Sequence, residues 1–291
     1  MSISASMVKE LRERTGAGMM ECKKALVAAD GDMEQAAEAL RKSGQAKADK
    51  KAGRVAADGR VVVASGEQRA AVVEVNSETD FVAKDENFVA FAEAVAATAL
   101  DTEAQDVDTL NAAALADGRT VEQARTELVA KVGENISVRR VAQISASGAL
   151  SSYVHNARIA AVVALSADDD ALARDVAMHV SATNPECIDE SAVPEATLER
   201  ERRILTEQAQ DSGKPAEIVE KMVNGRLAKF LKEITLVGQP FVKDPDQSVG
   251  QLLKAADAAV TGFIRFEVGE GIEKKEENFA EEVMKQIKDS Q

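Results

Sequence analysis

The sequence predicts an α+β protein that begins with three helices and continues into a core of two related α+β halves. Two observations support this class. Apolar residues recur every three or four positions over the first ~45 residues, as they do in short helices that share a core. A unit of two β-rich runs and a helix then occurs twice, and a further strand closes each unit. We therefore expect two halves of similar structure, packed side by side.

The three N-terminal helices are assigned from the spacing of their apolar residues. These residues are Val8 and Leu11 in the first helix, Met19, Cys22 and Leu26 in the second, and Met33, Ala36, Ala37 and Leu40 in the third. Gly16 and Gly31 are expected to end the first two helices, and Gly44 to close the module. We interpret the basic stretch over residues 42–54 as a helical linker with a solvated face, in preference to an anion-binding site.

The first half of the core is predicted to follow this linker. It begins with β-rich runs at residues 60–64 and 70–75, a polar loop over residues 76–82 and a helix from about Asn87. A variable excursion over residues 101–118 comes next. A helix that opens with a capping box at Thr120 and Gln123 then leads to a strand over residues 136–144. Gly66 separates the first two runs, and this arrangement is typical of a β-hairpin.

The second half repeats this order with an insertion. It contains a hairpin of residues 153–155 and 158–165, a helix that starts at residues 168–170, and a closing strand over residues 262–268. Between residues 194 and 234, apolar stripes predict two antiparallel helices joined around Gly213. Residues 278–287 have the pattern of an amphipathic helix that docks on the core or on a partner. The predicted division is an N-terminal module with its linker (1–54), the first half (55–148), the second half (149–193 and 235–271), the inserted hairpin (194–234) and a C-terminal module (272–291).

The composition indicates a globular, acidic protein. Apolar residues form 45% of the chain and charged residues 30%, so disorder is excluded as the default state. The net charge of −14 disfavours contacts with phosphate groups, and we expect no specific nucleic-acid ligand. The start lacks the apolar region of a signal peptide, and no run of ~18 apolar residues occurs. We therefore expect a cytoplasmic protein with no membrane segment.

The residues that carry most enzyme chemistry are scarce. The chain has two histidines, His155 and His179, and its two cysteines, Cys22 and Cys187, are too far apart in sequence for a disulfide scaffold. The glycines of residues 16–18 lack the further glycine and the preceding strand of a phosphate-binding loop, so we interpret them as a turn between helices. No metal, no cofactor and no direct binding of nucleotide are expected.

Several long motifs, in the same order, resemble the bacterial elongation factor Ts family. They are residues 11–20 (LRERTGAGMM), residues 79–82 (TDFV), Tyr153 with His155, Arg158 with Ile159, and residues 261–272 (TGFIRFEVGEGI). The resemblance runs essentially from end to end. It implies a three-helix module of the ubiquitin-associated type, a core of two subdomains, a coiled-coil hairpin and a C-terminal module.

The resemblance also implies a function without covalent chemistry. A member of this family is a translation elongation factor that binds elongation factor Tu·GDP, promotes release of GDP by displacing the Mg²⁺ site, and remains bound until GTP rebinds. It also implies that complexes of this kind can assemble as a dimer of heterodimers. Two other hypotheses stay open from the residues alone. One is an adaptor that uses the three-helix module and the hairpin, and the other is an enzyme with an unrecognised carboxylate site.

The residues that the resemblance assigns to the partner fall into two groups. Thr79, Asp80, Phe81 and Val82 are implied to insert into the G domain of elongation factor Tu and displace its Mg²⁺. Met19, Met20, Lys23 and His155 are implied to contact the same partner. Without the resemblance, each position has a simpler interpretation: Phe81 as the first core residue of the next helix, Met19 as part of the bundle core, and His155 as a surface turn residue.

Overall fold

The computed structural model describes residues 3–210 and 215–273. Their helices are α1 (Ala5–Thr15), α2 (Met19–Ala28), α3 (Met33–Lys51), α4 (Asp80–Ala83), α5 (Glu86–Thr102), α6 (Val107–Ala112), α7 (Val121–Val132), α8 (Asp170–Thr183), α9 (Glu195–Gln210), α10 (Ala216–Ile234) and α11 (Val249–Ala255). Their strands are β1 (Asp58–Ser65), β2 (Arg69–Ser77), β3 (Ile136–Ser145), β4 (Leu150–His155), β5 (Ile159–Leu165), β6 (Pro240–Phe241), β7 (Asp244–Ser248) and β8 (Val260–Glu267). The predicted α+β class is confirmed. None of the described helices is long and apolar enough to cross a membrane.

The N-terminal helices α1, α2 and α3 form a small bundle. Its buried core is Val8, Leu11, Cys22, Leu26 and Ala36. Gly16 ends α1 with a φ of +68°, a conformation that glycine adopts without a Cβ penalty. Met19 was predicted to share the buried face of α2 with Cys22 and Leu26, and this was wrong. Met19 is the first residue of α2 and 58% of it is exposed, because it lies at the end of the bundle.

The third helix is longer than predicted. Gly44 was expected to close the module, but α3 continues through it to Lys51. Gly44 is buried, and a Cβ built on it would lie 3.5 Å from the Cβ of Ala130 in α7. A Cβ at this distance is in ordinary van der Waals contact, so Gly44 marks where α3 packs on α7, at a cost of about 1 kcal/mol relative to alanine inside a helix. Helix α3 therefore attaches the bundle directly to the core.

Two three-stranded antiparallel sheets form the centre of the molecule. Their strand orders are β1-β2-β3 and β4-β5-β8, so each hairpin found in the sequence is completed by a strand from much later in the chain. The sheets face each other through a layer of mostly small residues: Val61, Ala70, Val72, Ala160, Val162 and Val268. The structure thus specifies how the halves pack, because one sheet lies on the other.

Helices cover the outer face of each sheet. The odd-numbered positions of β2, such as Ala71 and Val73, pack with Phe88 of α5 in the first core cluster. In the second half, Ala161 and Val163 of β5 pack with Val176 of α8. The layers therefore run helix, sheet, sheet, helix.

The excursion predicted over residues 101–118 is part of the first core cluster. It contains α6, and Leu110 and Leu115 are buried with α5 and α7. The sequence analysis assigned no helix here, because two isolated leucines give too little periodicity to indicate one. The inserted helices α9 and α10 pack on each other through Leu205, Ala209, Val223 and Leu227. The hairpin tip at residues 211–214 and the amphipathic segment at residues 278–287 lie outside the described residues.

A buried carboxylate joins the two halves at one end of the sheet interface. Glu74 of β2 has no exposed surface and accepts a hydrogen bond of 2.7 Å from the backbone amide of Gly269, which follows β8. Asn76 Nδ2 also donates to Glu74 at 3.0 Å. Arg139 and Arg140 of β3 donate to both carboxylate oxygens between them. The negative charge is therefore compensated by donors from both halves.

A β-bulge explains how two successive arginines reach one carboxylate. Glu74 pairs with Arg140, whereas Val75 pairs with Val138, so Arg139 is the extra residue of β3. A bulge places two residues of one strand opposite one residue of its partner, and both side chains can then point the same way. Arg140 donates onward to the backbone oxygen of Glu267 at 2.8 Å. Its guanidinium lies 4.2 Å from the centre of the Phe266 ring.

The other buried ionisable side chain of note, His179, joins α8 to the base of the inserted hairpin. The Val242 amide donates to Nδ1 of His179 at 3.1 Å, so Nε2 carries the proton and donates to Oε1 of Gln239 at 2.9 Å. Gln239 in turn donates to the backbone oxygen of Glu233 at the end of α10. Burial lowers the pKa of His179 below its ordinary value, although the hydrogen bond with Gln239 opposes the shift.

We expect Glu74→Ala to lower the free energy of unfolding by about 3–5 kcal/mol, because it removes the shared acceptor of two arginines, the buried Asn76 side chain and the Gly269 amide. Urea denaturation followed by circular dichroism measures the change. Glu67→Ala is the matched control, since Glu67 is exposed in the turn between β1 and β2 and should change stability by less than about 0.5 kcal/mol. A loss for Glu74→Ala as small as that of the control would contradict the account of the cluster.

We expect His179 to make stability fall as the pH falls below about 6.5. Its pKa is lowered in the folded state, so the unfolded chain takes up the proton first and is stabilised relative to the fold. Urea denaturation at several pH values between about 7.5 and 5.5 should give a steeper loss for the wild type than for His179→Gln, by up to about 1.4 kcal/mol per pH unit. If the free energy of unfolding changed equally with pH in the two proteins, His179 would not be the cause of the pH dependence.

Candidate functional site

The most exposed large apolar side chain among the described residues lies on a very short helix. Phe81 is 82% exposed and belongs to α4, a helix of four residues. The prediction of a loop over residues 76–82 is therefore wrong at both ends, since β2 continues to Ser77 and a helix begins at Asp80. The interpretation of Phe81 as a core residue is also wrong. Burial of the neighbouring Ala83 and partial burial of Val82 direct Phe81 to the opposite side of the helix.

Side chains and backbone on both ends of α4 hold it in place. The Thr79 hydroxyl accepts a hydrogen bond from the Val82 amide at 3.4 Å and caps the helix. At the other end, Arg60 Nη1 of β1 donates to the backbone oxygen of Ala83 at 3.4 Å. Asp80 pairs with Lys84 at 2.6 Å, and the hydrogen bond from Lys84 is the main reason why the pKa of Asp80 is lowered. Phe81 is thus presented on an ordered element.

The loop between α7 and β3 braces the same helix. Glu134 accepts two hydrogen bonds from Thr79, from its amide at 3.0 Å and from its hydroxyl at 2.7 Å. In the opposite direction, Glu78 accepts a hydrogen bond of 2.6 Å from the amide of Asn135. Sequence analysis did not identify Glu134 as a site residue. Two polar residues after Gly133 look like an ordinary loop, and nothing in their spacing reveals a contact with a residue 55 positions earlier.

His155 is the last residue of β4 and stands at the start of the turn, residues 156–158, that leads to β5. Nδ1 of His155 is 3.2 Å from the Tyr153 hydroxyl, and the two rings stack with their centres 6.2 Å apart. The turn is fixed to the first half by two contacts with β1. The Val61 amide donates to the backbone oxygen of Ala157 at 2.9 Å, and Arg158 pairs with Asp58 at 3.1 Å.

Strand β1 therefore brings α4 and the His155 turn to one rim of the molecule. Arg60 contacts α4 while the next residue, Val61, contacts the turn. The positive charge of Arg158 also contributes, as a minor cause, to the lowered pKa of Asp80. Two of the segments predicted to contact a partner are thus neighbours, although they come from different halves of the core.

The remaining predicted contacts lie on a separate module. Met20 is 63% exposed, and Met19 and Lys23 are exposed on the same helix, α2. Val27 is a further exposed apolar residue that sequence analysis did not include; it follows Lys23 by one helical turn. Helix α2 packs on α1 and α3, so these residues lie on the N-terminal bundle and not on the rim formed by β1. In the described part of the chain, no three His, Cys, Asp or Glu side chains are grouped so as to hold a metal ion.

Comparison with known proteins agrees with these motifs. The family model described as Elongation factor TS matches residues 78–270. This chain belongs to the elongation factor Ts family. It is 61% identical to the elongation factor Ts of Thioalkalivibrio sulfidiphilus over 99% of both chains. It is 58% identical to that of Alkalilimnicola ehrlichii over 100% of both chains, and 56% identical to that of Legionella pneumophila strain Philadelphia 1 over 99% of both.

Membership in the elongation factor Ts family assigns the chain to the elongation stage of protein biosynthesis. The matched range begins at Glu78, next to α4, and ends at Glu270, beside the Glu74 cluster. It therefore includes Phe81 and His155, whereas β1, which joins them, precedes it. The N-terminal module precedes this range, but the full-length relatives extend over it as well.

Proposed function

We propose that this protein binds elongation factor Tu·GDP and promotes the release of GDP by displacing the Mg²⁺ site of the GTPase. The observation that carries the proposal is the 82% exposure of Phe81 on a helix that is capped and braced on both ends. An exposed aromatic ring on a rigid element is suited to enter a pocket of another protein, because its burial stabilises the complex at a small cost in conformational entropy.

In the proposed mechanism, Phe81 stabilises a conformation of the partner in which nucleotide is held weakly. In GTPases, Mg²⁺ connects phosphate oxygens to protein groups, so displacement of those groups weakens the binding of the nucleotide. Asp80 is held by Lys84 and Thr79 by Glu134, so the segment is ordered before it docks. An acceleration of release by about 10³ needs about 4 kcal/mol, and one buried aromatic anchor commonly supplies about 2–4 kcal/mol.

The other contacts supply affinity. We propose that His155 and the α2 face with Met19, Met20 and Lys23 bind the same partner molecule together with α4. Because β1 holds α4 and the His155 turn in one rigid rim, docking of one raises the effective concentration of the other. We expect this complex to form in the cytoplasm, and we retain the dimer of heterodimers as a hypothesis that analytical ultracentrifugation of the complex tests.

Thermodynamic linkage gives the order of events. If this protein weakens the binding of GDP, then GDP weakens the binding of this protein by the same factor. The nucleotide-free complex is therefore stable until a nucleotide rebinds. We propose that in the cell this nucleotide is GTP. The process requires no covalent step, and we propose an exchange factor without enzymatic activity.

A second candidate is an adaptor without exchange activity, favoured by the exposed apolar face of α2 and by the paired helices α9 and α10. Release of fluorescent GDP from elongation factor Tu separates the two. The exchange factor accelerates release at catalytic concentrations, whereas the adaptor binds and leaves the release rate unchanged.

We expect Phe81→Ala to slow GDP release by about 30-fold or more and to weaken the complex with elongation factor Tu·GDP much less, because the other contacts remain. Stopped-flow release kinetics beside calorimetric titration give both quantities. Val242→Ala is the control, since Val242 is 43% exposed on a different part of the second half. A folded Phe81→Ala protein with wild-type release kinetics would exclude the insertion mechanism.

We expect the double variant Met19→Gln, Met20→Gln to weaken the complex by about tenfold or more while the free energy of unfolding changes by less than about 0.5 kcal/mol. Both side chains are more than half exposed, so the fold does not depend on them. Calorimetry and thermal melting measure the two effects. If stability fell and affinity did not, these methionines would belong to the bundle and not to the interface.

A further inference from the structure

Helix α4 is too short to fix its own orientation. A single helical turn orders several residues for very few hydrogen bonds and is unstable in isolation. The side chain at its centre, Phe81, is exposed and contributes nothing to holding it. The direction in which Phe81 points is therefore set by the packing of Val82 and Ala83 on the core and by the residues that anchor the two ends of the helix.

The anchor at the N-terminal end is a carboxylate from outside the helix. Glu134 Oε2 accepts from the Thr79 amide and Glu134 Oε1 accepts from the Thr79 hydroxyl, at 3.0 and 2.7 Å. Because the hydroxyl proton points to Glu134, a lone pair of the same oxygen is free to accept from the Val82 amide. Glu134 thus determines both the position of Thr79 and the orientation of its cap.

The loop that carries Glu134 is itself well anchored. Its next residue, Asn135, is buried, and its side chain donates to the backbone oxygen of Arg54 at 2.8 Å. The Asn135 amide donates to Glu78, which also pairs with Arg54 at 3.3 Å. The two loops therefore exchange hydrogen bonds in both directions, and the charged acceptors make these bonds stronger than neutral ones.

We propose that Glu134 is a positioning residue for nucleotide exchange, which holds α4 in the orientation that lets Phe81 enter the partner. This inference rests on the proposed function and adds a residue to it. Glu134 contacts neither partner nor nucleotide in this account; it acts through Thr79 on Phe81. When Glu134 is removed, α4 samples other orientations, and the fraction of molecules competent for exchange falls.

The test is a double-mutant cycle between Glu134 and Phe81 in the full-length protein, read as the rate of GDP release from elongation factor Tu. We expect Glu134→Ala to slow release by about tenfold in the wild-type background and by less than about twofold in the Phe81→Ala background. The affinity for elongation factor Tu·GDP should change by less than about threefold, because the other contacts stay in place. Equal effects in both backgrounds would overturn the proposal.

Two controls separate positioning from charge and from stability. Glu127→Ala removes the same charge from α7, where Glu127 pairs with Arg119, and should leave release within about twofold of wild type. Val176→Ala creates a cavity in the second core cluster, and any loss of activity from it should be the same with and without Phe81. If Glu134→Ala does not fold by circular dichroism, Glu134→Gln replaces it, because the amide retains the shape but can accept only at one oxygen.

The two levels of the proposal fail in different ways. A wild-type protein that does not accelerate GDP release refutes the exchange function. A wild-type protein that does so, together with a slow Phe81→Ala variant and a Glu134 effect that is absent or simply additive, refutes only the role of Glu134.

Discussion

The relative position of the candidate contacts Phe81 and His155 depends on how the two sheets are held against each other. The interface is apolar over most of its area, where side chains as small as Ala70 and Ala160 meet, and it ends in the buried charge of Glu74. Apolar contact is non-directional, so small residues alone leave the sheets free to shift. Hydrogen bonds to Glu74 from the Gly269 amide and from β3 require one specific alignment. Burial raises the pKa of the Glu74 carboxyl, but the donors outweigh this effect and lower the pKa below its ordinary value.

This alignment extends from Glu74 to the rim. The Val268 amide, next to Gly269, donates to the backbone oxygen of Arg158, and Arg158 continues the turn that carries His155. The turn then contacts β1, and β1 contacts α4 through Arg60. A partner that recognises Phe81 and His155 together therefore recognises the arrangement of the two halves. In the proposed complex, residues from separate halves therefore form one docking surface without a direct contact between them.

Local sequence patterns predicted most of the secondary structure and little of the site. The strands and long helices follow from apolar periodicity, and the capping box at Thr120 and Gln123 is confirmed. The helix through Gly44 and the helix α6 were missed for a similar reason, since both pack on elements distant in sequence, among them α7. For Phe81, the residues alone favoured the core, and only the family resemblance indicated otherwise. The roles of Glu134 and Glu74 were not predicted, because their partners are distant in sequence. The sequence alone also does not distinguish a buried, hydrogen-bonded glutamate from a solvated one.

The exposure of Phe81 is informative because aromatic side chains are scarce in this chain. They form 3% of the residues, and Phe88, Phe91 and Phe241 are buried in the two halves. A protein that builds its core mainly from Ala, Val and Leu exposes one of its few large aromatics on a helix that polar contacts hold from both sides. Such an arrangement contributes nothing to the stability of the isolated chain, since the ring buries little surface and four residues gain little as a helix. The free energy that the ring can contribute is therefore available only on binding. Because the braces order α4 in advance, less of that free energy is lost to ordering the segment, and more remains to stabilise an altered conformation of the partner.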